Sequence, residues 1–173
     1  MTPDLRIRLK RHTDGSASLT LTRRDGSVTW QRQKGGLALV FPQHDLTHYA
    51  VESTLGYDGG FFGLVADGWA IADFAKPWPR GAIPVEAREV EMLVGLFDGM
   101  HPDRTSWDAA DINRLLAALV ADSEFAGLIV PRALTEADVA RVRALRSALL
   151  ERWGMTAPGT ALELEFDREA GGP

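Results

Sequence analysis

Leu5-Arg6-Ile7-Arg8-Leu9-Lys10 alternates apolar and basic residues without a break, and this period of two decides the reading of the chain's first third. Successive side chains of a strand face opposite ways, so Leu5, Ile7 and Leu9 turn to a core while Arg6, Arg8 and Lys10 turn to water. The same period returns in Leu19-Thr20-Leu21-Thr22 and in Val28-Thr29-Trp30. Between these runs stand Thr13-Asp14-Gly15-Ser16 and Arg24-Asp25-Gly26-Ser27, the Asp-Gly chemistry of tight hairpins. The reading is a three-strand antiparallel meander over about residues 4–33. Near the other end, Leu162-Glu163-Leu164-Glu165-Phe166 alternates again with an acidic outer face. That face matches the basic face of Leu5–Lys10 if the two strands pair, each opposite-charge pair contributing about 0.2–1 kcal/mol.

After Gly35-Gly36 the period becomes helical. Pro42 precedes a stripe of Leu46, Tyr49/Ala50 and Ser53/Leu55, with Gly56 as C-terminal cap. A second apolar stretch, Phe61 to Phe74, has helical spacing but contains Gly63 and Gly68, which points to close packing against a neighbour. Lys76-Pro77-Trp78-Pro79 stops it. Further helices are expected at about Val85–Asp98, at Asp108–Asp122 behind a Thr105 or Ser106 cap, and at Glu136–Trp153 behind Thr135. The fold class is therefore α+β: a small antiparallel sheet, the N-terminal meander plus a C-terminal strand, packed against four or five helices. We read residues 1–173 as a single domain, with the meander at 4–33, a helical region at 43–153, a closing strand at 161–166 and a mobile tail at 168–173.

Composition narrows the function. The chain has 173 residues, of which 45% are apolar, enough for one sizeable core. With no cysteine, thiolate metal sites, iron–sulfur clusters, disulfides and cysteine nucleophiles are excluded together. The net charge of −5 argues against nucleic acid as a partner. Residues 1–34 hold eight bases against three acids, which leaves about −10 for the remainder. No signal peptide or membrane span is legible, so a cytoplasmic protein is the expectation.

The chemistry-bearing cluster is His44, Asp45, His48 and Glu52. A spacing of four turns an α-helix through about 400°, so adjacent members of His44, His48 and Glu52 lie one turn apart on nearly one face. Two imidazoles so placed are how a helix offers two nitrogen ligands to zinc or a similar divalent metal. His44 and Glu52 stand roughly 12 Å apart along the axis, too far for one ion to hold both. The candidate metal ligands are thus His44, His48 and Glu52, as His44 with His48 or His48 with Glu52. A further ligand would come from Asp58, Asp67, Glu86, Glu89 or His101. Asp45 and Glu52 are the candidate catalytic carboxylates, which can orient a ligating imidazole or take a proton from water beside the ion. Without metal, a His–carboxylate pair still suits acid–base work near neutral pH.

Phe41-Pro42-Gln43-His44-Asp45-Leu46-Thr47-His48-Tyr49-Ala50-Val51-Glu52 resembles a segment of small uncharacterised bacterial proteins, over residues 41 to about 64. Its His-Asp-x-x-His start is similar to the zinc-ligand motif of the Coq4 family of ubiquinone biosynthesis. That family carries a Glu where this chain has Gly60, so the resemblance is partial and its role does not carry over. A His-Asp pair is also similar to that of the HD-domain phosphohydrolases. Those are all-helical and need a separated upstream His, whereas His12 here falls on the expected hairpin.

Gly59-Gly60-Phe61-Phe62-Gly63 lacks a Walker lysine and reads as a flexible hinge or a tight helix entry in preference to a phosphate loop. No Gly-x-Ser-x-Gly elbow occurs. The leading expectation is a metal site used for hydrolytic or proton-transfer chemistry on an unknown small molecule. The alternative is a non-catalytic interaction or accessory module, including a homodimer, that meets a protein partner through the sheet or the Trp78 loop.

Overall fold

The computed structural model describes residues 3–99 and 107–168. Leu5–Arg11 (β1), Ala17–Arg23 (β2), Val28–Gln33 (β3) and Ala161–Phe166 (β4) form one antiparallel sheet in the order β3-β2-β1-β4. Asp14 and Asp25 each accept the backbone N–H two residues on, from Ser16 and Ser27, and Gly15 and Gly26 take the positive φ those turns demand. Leu5, Ile7, Leu9, Leu19 and Leu21 are buried on one face. On the other, Arg6 lies opposite Glu165 and Arg8 opposite Glu163, with Arg8 Nε 3.3 Å from the Glu163 carboxylate. The α+β architecture expected from the periodicity is the one observed.

The edge strand reverses one expectation. In β3 it is Thr29 that turns inward, its hydroxyl accepting the Ile71 N–H at 3.0 Å, while Val28 and Trp30 face outward and are exposed. Polar Thr29 is kept inside because it receives a backbone donor from the segment that crosses it.

The helices are Leu37–Leu55 (α1), Phe61–Ala66 (α2), Val85–Asp98 (α3), Ala109–Ala121 (α4) and Glu136–Met155 (α5), with a short 3-10 turn at Ile71–Phe74. Two of them depart from the expected bounds. α1 starts before Pro42 and runs through it. The Gln43 side chain donates to the Leu39 carbonyl at 2.8 Å, beside the backbone bond that the proline cannot make. The apolar stretch from Phe61 to Phe74 is broken after Ala66, where Gly68 adopts φ +97°. Of the expected caps, Thr135 closes a reciprocal box with Asp138 at the start of α5. At α4 the cap is Asp108, accepting from the Asp111 N–H. Thr105, Ser106, the proposed ligand His101 and most of the proposed tail lie outside the described residues.

α1 is the central helix: it packs on β2, α2, α3 and α5. Covered from several sides, it buries Leu46, Ala50, Val51 and Leu55 and, with them, the polar Asp45, Thr47, His48 and Glu52. Polar groups taken out of water need partners, and this requirement builds the site. No helix is long and apolar enough to cross a membrane among the described residues.

Candidate metal centre

The histidines of α1 face a stripe of acids on α3. Glu91 and Asp98, seven residues or two turns apart, share one face of α3; Glu91 meets His48, and Asp98 meets His44 and Thr47. The numbering runs in opposite senses on the two helices, so they pack antiparallel and each acid finds a histidine.

His44, His48 and Glu91 bring one ligand atom each within 4.8 Å of one another. His48 Nε2 lies 3.0 Å from one Glu91 oxygen and His44 Nε2 3.5 Å from the other. Ligands of a tetrahedral ion with bonds near 2 Å stand about 3.3 Å apart, close to these two separations, while the widest pair of the three atoms stands up to 4.8 Å apart. The two imidazoles meet edge to face, with centroids 4.8 Å apart. Two histidines and one glutamate make a donor set that could hold a divalent metal ion.

Behind each imidazole stands a second carboxylate. His48 Nδ1–H donates to Glu52 at 3.1 Å, and His44 Nδ1–H donates to Asp98 at 2.8 Å. Carboxylates in this position fix the ring and make it a stronger donor to metal. Both are themselves anchored. The second Glu52 oxygen accepts the backbone N–H of Phe62 at 2.9 Å and of Gly63 at 3.4 Å, at the start of α2. Asp98 accepts from the Thr47 hydroxyl at 2.5 Å and from Arg146 of α5 at 3.3 Å, and Arg146 Nε also donates to Thr47.

The electrostatics follow from burial and pairing. Burial works against a charged His48, but the hydrogen bonds to Glu52 and Glu91 prevail and raise its pKa to about 10. Burial pushes the Glu52 carboxyl up, against the opposing effect of His48 and the two amides. The His48 hydrogen bond holds Glu91 below the usual carboxylate range. Asp98 is also held low: burial opposes its charge, and the hydrogen bonds from His44 and Thr47 outweigh it.

Asp45 differs from all of these. It is 6% exposed and lines the same cavity as His44, His48 and Glu91, yet no hydrogen bond reaches its carboxylate among the described residues. Burial pushes its pKa up to about 7, against the attraction of His48 and His44. The cavity measures about 460 Å³ and is walled by rings of Phe41, Phe61 and Phe74, with the Phe61 ring 5.6 Å from that of His48.

The structure thus brings His44, Asp45 and His48 to one cavity, and sets Glu52 on the far side of His48 from Glu91. Glu52 bonds the Nδ1 of His48 and stands outside the group of His44, His48 and Glu91. The acids considered as an additional ligand are engaged elsewhere or remote: Glu86 accepts the Gly59 N–H, Glu89 accepts from Tyr57 and Arg132, and Asp67 pairs with Arg168. Asp58 is exposed and outside the group. Glu91 and Asp98 were missed by the sequence reading. Their trace was present as a seven-residue spacing within the helix expected at Val85–Asp98, but Glu86 and Glu89 on the same helix were equal claimants without knowledge of which face meets α1. Compared with protein-family models, with curated proteins and with solved structures, the chain matches none.

Proposed function

We propose that this chain binds a divalent metal ion through His44, His48 and Glu91 and uses it in hydrolysis, with Asp45 as the general base. The observation that carries the reading is the pair of carboxylates behind the pair of histidines. Glu52 and Asp98 occupy both Nδ1 atoms, which leaves both Nε2 atoms to converge on Glu91. When bound, the ion supplies a Lewis acid that makes water a nucleophile near neutral pH. Asp45 receives the proton: its carboxyl lies in the same cavity as His44 and His48 with no hydrogen-bond partner among the described residues, free to accept a proton and return it to a leaving group. The phenylalanine walls make one side of the cavity apolar, which strengthens electrostatic interactions beside them.

The test is elemental analysis of protein purified without chelator, followed by zinc and manganese titration of the wild type, His48→Ala and Glu91→Gln. Near-stoichiometric metal that both substitutions remove supports the site; a wild type that takes up neither ion sinks it. A metal-dependent esterase or phosphatase rate that falls about 10²–10⁴-fold in Asp45→Asn, with metal retained, supports the base.

A second reading, a non-catalytic interaction module or homodimer, is favoured by one feature. Trp30 on the edge strand β3 and Leu39 and Val40 at the start of α1 are exposed. Sedimentation of the wild type and Trp30→Ser distinguishes it: a dimer that the substitution dissolves supports this reading.

A further inference from the structure

Arg88 lies on α3 three residues before Glu91, and both line the cavity. Its guanidinium is stacked between two rings, 5.5 Å from the Trp78 centroid and 5.3 Å from that of Phe125. Its Nε is buried without a hydrogen-bond partner, and among the described residues no carboxylate or carbonyl meets the guanidinium. Other arginines of the fold are partnered: Arg80 pairs with Asp73, Arg132 with the Leu55 carbonyl, and Arg146 with Asp98. A buried guanidinium N–H without an acceptor is costly, and aromatic stacking only partly offsets that cost. The segment that delivers the Trp78 ring adds to it, since Trp78 holds a left-handed backbone, φ +61°, that bulky residues rarely adopt. Arg88 lines the cavity, and a guanidinium without a carboxylate partner among the described residues fits a role in recognising a planar or tetrahedral anion through its forked N–H edge.

We propose that Arg88 is the anion-recognising residue of this cavity, so that the substrate is an apolar small molecule carrying a carboxylate or phosphate group. The apolar body lies against Phe41, Phe61, Phe74, Ile71 and Ile83, and the anion meets Arg88. A volume of about 460 Å³ suits a molecule of that kind. The proposal deepens the hydrolytic reading and names the substrate class of that site, but anion recognition by Arg88 itself needs no metal.

The experiment is therefore done on metal-free protein, titrated calorimetrically with phenylacetate, phenyl phosphate and neutral phenylacetamide, in the wild type, Arg88→Gln and Arg88→Lys. The expected result is binding of at least one anion about tenfold or more tighter than phenylacetamide. That preference disappears in Arg88→Gln and survives in part in Arg88→Lys, with zinc stoichiometry unchanged in both. Which anion binds tighter assigns the carboxylate or the phosphate class. A wild type that binds no anion, that binds phenylacetamide equally well, or whose preference persists in Arg88→Gln overturns the proposal. An anion preference in a wild type that takes up no zinc sinks the metal reading and leaves Arg88 assigned.

Discussion

Burial of Asp45 in the cavity carries an energetic cost that no hydrogen bond offsets among the described residues. His48, Glu52, Glu91 and Asp98 all have hydrogen-bond partners, whereas Asp45 is buried with no hydrogen-bond partner among the described residues and a pKa raised to about 7. A carboxyl whose folded pKa lies above its unfolded value near 3.8 binds more protons folded than unfolded between the two, so its contribution to stability falls as pH rises through that window. Asp45→Asn removes the penalty. The metal-free variant is expected to be more stable than the wild type at pH 8, by about 1–4 kcal/mol, with the difference vanishing near pH 4. Urea unfolding at the two pH values measures it, and equal stability at pH 8 would contradict the burial argument. A substitution that stabilises the fold while abolishing the proposed base is the expected mark of a functional group.

At the scale of elements, the site depends on the way α2 starts. Glu52 reaches out of α1 to receive the first N–H groups of α2, and the carboxylate fills the space where Gly60 has no side chain. A Cβ on Gly60 would stand 2.5 Å from a Glu52 oxygen, and one on Gly63 1.8 Å from the Asp58 carbonyl. The loop read as a flexible hinge or a tight helix entry is therefore the latter, and the anion at its helix start belongs to the protein. Gly60→Ala is expected to push Glu52 off His48. Zinc affinity should fall about 10–100-fold, the range for losing an orienting carboxylate, and stability by about 1–3 kcal/mol. Zinc titration and thermal unfolding read the two effects; unchanged affinity would show that Glu52 does not orient His48.

Across the whole molecule, α1 and α3 come from distant parts of the chain, so an ion held by both ties the fold together. Binding to the folded state alone stabilises by about 2.7 kcal/mol at a hundredfold excess over Kd, or about 5–10 °C in Tm for a chain of this size. Zinc must displace the Nε2 proton of His48, whose pKa is raised to about 10, so affinity and the Tm gain should grow between pH 6 and pH 8. In metal-free protein the sign is the opposite. The ion pairs of His48 contribute fully below its unfolded pKa near 6.5, and that contribution is lost as pH rises through about 10. Thermal scans with and without zinc at pH 6, 8 and 10 check both, and Glu91→Gln should show no zinc-dependent shift.

Much of this was legible from residues alone. The alternation of Leu5–Lys10, the Asp-Gly turns and the acidic alternation of Leu162–Phe166 specified four strands and the pairing of β1 with β4, because strand period, turn chemistry and cross-strand charge are local or pairwise properties. The i, i+4 spacing likewise placed His44 and His48 on one helix face. The inward turn of Thr29, the passage of α1 through Pro42 and the break after Ala66 were not legible: Thr29 is held by the Ile71 N–H, the Gln43 side chain donates to the Leu39 carbonyl beside the proline, and Gly68 takes a positive φ behind α2. The metal ligands divide along the same line. One helix can set two imidazoles side by side by its own geometry, but the third donor and both supporting carboxylates depend on the angle and register at which α3 and α2 pack on α1. That register is fixed by the shared apolar core of Leu46, Ala50, Val90, Val94 and Phe97, whose packing is a property of the folded molecule and of no single segment.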